Sequence, residues 1–356
     1  MKIIRLTTFL DFGGIESKMA NLSSLSDDNE WIYCSIGKGG TAEKQIAKNN
    51  KEVVCFYYSH KIPSILSIIK LYFYFKKQKP QVVHSAGSEA NFHGVIAAKL
   101  AKVPVIIAEE IGIPSHSKLA ITIFNFIYKW SDFVVGESQS VIDNLKSNYT
   151  IHQNKLNVIS NFALFKNSNE AIFTTKSDEF RMVSVSRLEP VKNIEGIIKV
   201  VKILNQQKYV IKYTIVGEGS SKEALKELVK KLNLENEIEF VGFQKDTEKY
   251  YLNSDIYILN SFSEGFSNSL LEAMYLKKMC ITTNVGAASE MIQNDRNGWI
   301  ISVNNENELY LKIKKSIELN SETRKNIENN AKKTVIENFS LQNHVNTLMQ
   351  LYKVKL

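Results

Sequence analysis

Cysteine is scarce: Cys34, Cys55 and Cys280 are the only three in 356 residues. An odd, scattered set offers no disulfide framework and no metal-ligand spacing, so a reducing cytosol is the expected compartment. Long apolar runs are absent. The longest charge-free one near a basic flank, residues 119–128, falls short of the roughly 20 residues that cross a bilayer. Asp11 interrupts the apolar start of the chain, which therefore reads as a buried first strand and not as a secretory leader. No Asp-x-Asp pair occurs, the clustered oxygen donors that a Mg²⁺ or Mn²⁺ nucleotide site would use. GxGxxG is missing from the first strand-to-helix turn, which disfavours a nicotinamide dehydrogenase. Zinc-finger spacing and RNA-recognition motifs are missing too, which disfavours nucleic acid as a partner.

What is present is ordinary globular composition, with 44% hydrophobic and 23% charged residues. Disorder, fibres and knotted peptides are thereby excluded. At roughly 100–200 residues per domain, the length suggests two domains. The net charge is +8, and the excess is uneven: no acid lies between Glu52 and Glu89, while Lys61, Lys70, Lys76, Lys77 and Lys79 do. Residues 62–80 interleave such lysines with Ile, Leu, Tyr and Phe. A helix with this pattern suits an anionic membrane surface; a core helix with a solvated lysine tail is the commoner explanation of such a pattern.

Strand and helix patterns alternate along the chain, which implies parallel strands with crossover helices. Strands are expected at 2–8, 31–36, 52–58, 81–86, 103–109, 132–138 and 156–161. Residues 163–178 lose the periodicity and read as a linker. The pattern restarts at 180–190, with further strands at 211–219, 237–243, 255–261 and 279–284. Helices are expected near 193–207, 220–233, 246–253, 268–277 and 339–353. Two Rossmann-like halves are the simplest architecture.

Three segments carry chemical content. The first is Asp11-Phe12-Gly13-Gly14-Ile15-Glu16, between a strand and a helix. Paired glycines let backbone approach a ligand, and the helix start offers unpaired N–H groups; a tight turn explains the pair as well. The second runs from Ser186-Arg187 to Lys192-Asn193, at the carboxyl end of a strand. Open α/β sheets bind ligands at that end, where a forked guanidinium and an ammonium could neutralise a diphosphate. The third is Glu264-Gly265-Phe266-Ser267-Asn268 with Glu272 eight residues after Glu264. Glu264 falls in a loop and Glu272 one turn into a helix. Carboxylates accept hydrogen bonds from vicinal hydroxyls, so one could hold a hexose and the other a ribose.

Together these segments resemble glycosyltransferase family 4, retaining enzymes of the GT-B fold. Gly-Gly-x-Glu, Arg187 with Lys192, and Glu264 with Glu272 match in order and spacing. Gly286-Ala287 and Asn297-Gly298 look like the family's next loop. The resemblance implies an α/β fold of two Rossmann-like domains with parallel sheets facing across a cleft. Residues 1–165 would bind the acceptor, with 339–356 packed back on them, and 166–338 would bind the donor.

The activity implied is metal-independent, retaining transfer of a hexose or N-acetylhexosamine from a nucleotide diphosphate sugar, with UDP favoured. The acceptor would be a glycan or lipid-linked molecule of bacterial surface polysaccharide or glycolipid synthesis. No cofactor is implied, the nucleotide sugar being a co-substrate. A cytoplasmic protein is expected, peripheral on the inner membrane face through residues 62–80. Arg187 and Lys192 would hold the diphosphate, Glu264 the hexose and Glu272 the ribose. The backbone of Gly265, Phe266, Ser267 and Asn268 would help grip phosphate and sugar, with Gly13 and Gly14 closing on the diphosphate. Many members carry a histidine after the strand at 103–109. Here Glu110 or Glu109 stands in that place, so Glu110 joins Arg187, Lys192 and Glu264 as a catalytic candidate. Glu16, His84 and Glu109 are the acceptor-contact candidates. A GT-B-shaped epimerase or a non-catalytic partner subunit would be the alternatives.

Overall fold

A computed structural model describes residues 1–11, 13–114, 116–164 and 179–356. Its chain divides into two compact units, residues 1–162 with 341–356, and 163–340. The linker expected over 163–178 lies, from residue 165 on, outside the described residues.

The first unit holds β1 (Lys2–Thr7), β2 (Glu30–Ser35), β3 (Glu52–Cys55), β4 (Val82–Ala86), β5 (Val105–Glu110), β6 (Phe133–Gly136) and β7 (Leu156–Val158). They form one sheet in the order β3-β2-β1-β4-β5-β6-β7, every neighbour parallel. Parallel sheets are covered on both faces, and these strands are accordingly buried and largely apolar on both sides. Ile4, Leu6, Ile32 and Cys34 enter one core layer. Ile3, Trp31 and Tyr33, displaced by one position, enter the other. The run expected to extend to 58 stops at Cys55, because Tyr57 adopts the left-handed φ of 55° and turns the chain off the ladder. The final helix, Leu341–Lys353, buries Val345, Leu348 and Tyr352 in the second of these layers.

The other unit holds β8 (Phe180–Val185), β9 (Ile211–Val216), β10 (Ile238–Gly242), β11 (Ile256–Leu259), β12 (Met279–Thr283) and β13 (Trp299–Ile301). Their order is β10-β9-β8-β11-β12-β13, again parallel. The chain thus reverses its direction of winding between β8 and β11, the switch point at which open α/β sheets bind ligands. β13 was not expected from sequence. It has three residues behind the Asn297-Gly298 turn, too few for a periodic signal, yet its Trp299 is fully buried.

Candidate functional site

Both basic residues of the second sequence segment lie just beyond β8. Ser186 and Leu188 pair their N–H groups with Val216 and Glu218 carbonyls at 3.0 and 2.8 Å, and buried Leu188 anchors the loop. Arg187 between them is exposed. Sequence reading missed what lets this loop pack: Gly217, at φ +143°, where a Cβ would meet the Ser186 carbonyl oxygen at 1.8 Å. The signal was the Gly217-Glu218-Gly219 run at the end of β9.

A single helical turn, Pro190–Lys192, follows. Asn193 then caps the helix Ile194–Gln206, its Oδ1 accepting from the Gly196 N–H at 3.2 Å. Phe262 N–H bonds the Val191 carbonyl at 2.7 Å, fastening this turn to the loop after β11. That contact joins the second and third segments. Lys192 Nζ forms an ion pair with Glu264 Oε1, and the Ser261 hydroxyl donates to the same oxygen at 2.7 Å. The pair is largely buried, with side-chain exposures of 14% and 12%. An ammonium has three N–H donors, so Lys192 keeps others for a ligand.

The loop after Glu264 is shaped by Gly286, in the left-handed region at φ +57°, where a Cβ would come within 2.5 Å of the Gly265 carbonyl oxygen. That carbonyl accepts from Ala287 N–H at 3.1 Å. Phe266 is buried and packs edge-on against Phe339 at 5.9 Å, so only its backbone is available to a ligand. Ser267 caps the helix Asn268–Tyr275 by accepting from Leu270 N–H at 3.2 Å, and Asn268 opens it. Glu272 lies on that helix and takes a 3.0 Å hydrogen bond from Tyr251. The residue has an exposed edge, but surrounding protein crowds its carboxyl and raises its pKa, against hydrogen bonds from Tyr251 and Thr247 that lower it. It borders a cavity of about 190 Å³, also lined by Thr247, Glu248 and Tyr275. Tyr251 is a residue that sequence reading missed; one aromatic in Tyr250-Tyr251 carries no signal of its own.

In the first unit, Gly14 begins the helix Gly14–Leu22 and Gly13 precedes it. Glu16 folds back toward Gly13, and burial raises its carboxyl. The structure corrects the roles expected of His84, Glu109 and Glu110. Side chains alternate along a strand, so Glu109 and Glu110 at the end of β5 face opposite sides of the sheet, each covered by packed helices. Glu109 is 1% exposed and bonds Lys18 at 2.5 Å, Arg5 at 2.8 Å and His84 at 3.1 Å. Burial opposes its charge, but Lys18, Arg5 and His84 outweigh that and hold it well below the usual range. His84 is wholly buried, and desolvation, then Arg5, lowers it to about 3, so the ring is neutral. All of these groups are buried and present no surface to an acceptor. Glu110, 2% exposed, accepts from Asn91 at 2.8 Å and Tyr128 at 2.9 Å. Its carboxyl is thus turned into the packed interior of this unit, and this geometry does not carry a catalytic role for it.

Comparison with known proteins agrees with this layout. Residues 29–163 match the family model "Glycosyltransferase Family 4", and residues 165–334 match "Glycosyl transferases group 1". A Campylobacter jejuni N-acetylgalactosamine-N,N'-diacetylbacillosaminyl-diphospho-undecaprenol 4-alpha-N-acetylgalactosaminyltransferase is 29% identical over 59% of this chain. That alignment spans 57% of the relative's length. An Escherichia coli UDP-Gal:alpha-D-GlcNAc-diphosphoundecaprenol alpha-1,3-galactosyltransferase is 25% identical over 82% of this chain and 80% of its own. Among solved structures, Anabaena HepE in complex with UDP superposes with a TM-score of 0.84 at 19% identity, covering 99% of both chains. Taken with the two parallel sheets, these matches show that the chain belongs to the GT-B glycosyltransferases, with a family 4 domain followed by a group 1 domain.

Proposed function

We propose that the protein transfers a hexose or N-acetylhexosamine, with retention, from a UDP-sugar to a polyprenyl-diphosphate-linked glycan in bacterial surface polysaccharide or glycolipid synthesis. The observation that carries this reading is the Lys192–Glu264 ion pair at the β8/β11 switch point, with Arg187 exposed on the loop just after β8 and Glu272 one turn into the helix Asn268–Tyr275. Cationic and carboxylate groups thus stand side by side where a sugar diphosphate needs both. The names of the Campylobacter and Escherichia coli relatives support a diphospho-undecaprenol acceptor, and the latter's a UDP donor.

Arg187 and Lys192 neutralise the diphosphate, Glu264 accepts from hexose hydroxyls, and Glu272 from ribose hydroxyls. Backbone N–H groups of residues 265–268 complete the grip. In the first unit the Gly13-Gly14 helix start offers N–H groups to a phosphate oxygen, and Glu16 reaches acceptor hydroxyls. As the bond from the sugar's anomeric carbon to the phosphate oxygen breaks, negative charge grows on that oxygen, and the two cations stabilise it. The acceptor oxygen bonds the same carbon on the same face, and its proton passes to the departing phosphate oxygen. No metal is needed, as the lack of Asp-x-Asp suggests. The protein works at the inner membrane face, which residues 62–80 contact.

Arg187→Ala or Lys192→Ala should lower turnover by about 100-fold or more while leaving the circular dichroism spectrum unchanged. Near-native turnover in both would remove the diphosphate role. Proton NMR of the product decides retention, and activity in excess EDTA decides metal independence.

A further inference from the structure

Three helices cover one face of the first unit's sheet: Ile65–Gln78, Ser88–Ala101 and Lys118–Trp130. The first packs on the second, the second on the third, and their inner sides share one core layer. Their outer sides are not what water calls for. On the first, Ile65, Ile69 and Phe73 follow at intervals of four and are 71%, 45% and 64% exposed. On the third, Leu119, Phe126 and Trp130 form a matching stripe, 73%, 58% and 37% exposed. Spacings of four and seven keep such residues on one side of a helix. Exposed apolar side chains lined up in this way on a soluble surface mark a contact site.

Charge says which partner. Residues 53–131 contain nine lysines and three acids. All nine lysines are exposed. Two of the acids, Glu109 and Glu110, are buried, and the third, Glu89, accepts from Thr8 at 3.3 Å. Six of the chain's eight net positive charges therefore come from this segment. A second copy placed face to face would oppose lysine to lysine. Apolar and aromatic side chains amid unopposed lysines, which can lie along an apolar layer with their heads in water, fit an anionic lipid surface.

We propose that the helices Ile65–Gln78 and Lys118–Trp130 form one two-helix footprint that docks on an anionic bilayer, with Phe126 and Trp130 entering the headgroup layer. This rests on the peripheral placement proposed above and adds the second helix to it. Trp130 makes it directly testable, because Trp31 and Trp299 are buried, at 3% and 0% exposure.

The full chain is mixed with vesicles of phosphatidylglycerol and phosphatidylcholine in equal parts, some carrying nitroxide-labelled lipid, and with pure phosphatidylcholine vesicles. The expected result is sedimentation with the anionic vesicles alone, and nitroxide quenching of tryptophan emission that Trp130→Phe removes. The double variant Leu119→Glu/Phe126→Glu should weaken binding by roughly tenfold or more, as should Lys76→Glu/Lys77→Glu. All these substitutions are at exposed positions, and retained UDP stabilisation in a thermal melt shows that the donor unit is intact. Loss with the Lys76/Lys77 pair but full binding and no quenching change with the Leu119/Phe126 pair would overturn the second helix and leave the peripheral reading standing. Absence of vesicle binding by the wild type, or apolar variants that change only self-association, would overturn both while leaving the donor assignment untouched.

Discussion

At the scale of single residues, the most informative contact is the Lys192–Glu264 ion pair. Its two members looked like separate ligands in the sequence, one for phosphate and one for sugar, because they lie 72 positions apart. Glu264→Gln should therefore disturb both donor affinity and turnover, and a KM-against-kcat comparison with Lys192→Ala would show the two sharing one defect. Glu110 is a residue whose chemistry sequence could not reveal. Burial raises its carboxyl to about 7, against hydrogen bonds from Tyr128 and Asn91 that lower it. The folded chain therefore holds a proton that the unfolded chain, near 4.5, has released between those values. Stability from this site is full below the lower value and is lost as pH rises through 7. Glu110→Gln keeps an oxygen for both donors and removes the ionisable group. Its stability relative to wild type should rise by about 2 kcal/mol more at pH 8 than at pH 5, read from denaturant melts; an equal difference at both pH values would contradict the assignment.

At the scale of elements, the strands were legible because both faces of a parallel sheet are buried, so they appear as largely apolar runs between turn signals, interrupted at positions such as Arg5 and His84. Their ends were less so. Nothing in EVVCFYY announces that Tyr57 turns left-handed, and three-residue β13 hides behind a loop. The carboxylates of β5 were misread for a related reason: position in a strand is visible, but what covers each face is not. That cover includes the final helix, whose Tyr352 accepts from Arg5 at 3.1 Å and bonds His84 Nδ1 at 2.8 Å. Tyr352→Phe leaves those buried groups short of a partner and should cost about 1–3 kcal/mol in a denaturant melt. Burial also holds His344, on the same helix, well below its ordinary value. Neutral in the folded state, it contributes stability above about 6.5 that is lost as pH falls below it. Protection factors for amide exchange in Leu341–Lys353, which correct for the intrinsic slowing of exchange toward low pH, should accordingly fall between pH 7 and pH 5. In the second unit, Gly286→Ala forces a side chain onto a left-handed residue beside the Gly265 carbonyl. Weaker UDP binding by calorimetry, with the fold retained, is the expected outcome.

At the scale of the whole molecule, the family and the fold follow from ordered motifs spread over nearly the entire chain, which is why they were readable before any coordinates. Sugar and acceptor identity depend on side chains that no short motif specifies. The central claim is that the second unit binds a nucleotide diphosphate sugar through Arg187, Lys192 and Glu272. The most direct test is the melting temperature of wild type and Arg187→Ala against a panel of nucleotides and nucleotide sugars, without added metal. One UDP-sugar is expected to stabilise the wild type more than UDP does, by mass action on the folded state, and Arg187→Ala to lose most of that gain. No stabilisation by any member of the panel, or equal stabilisation of the variant, would contradict that claim.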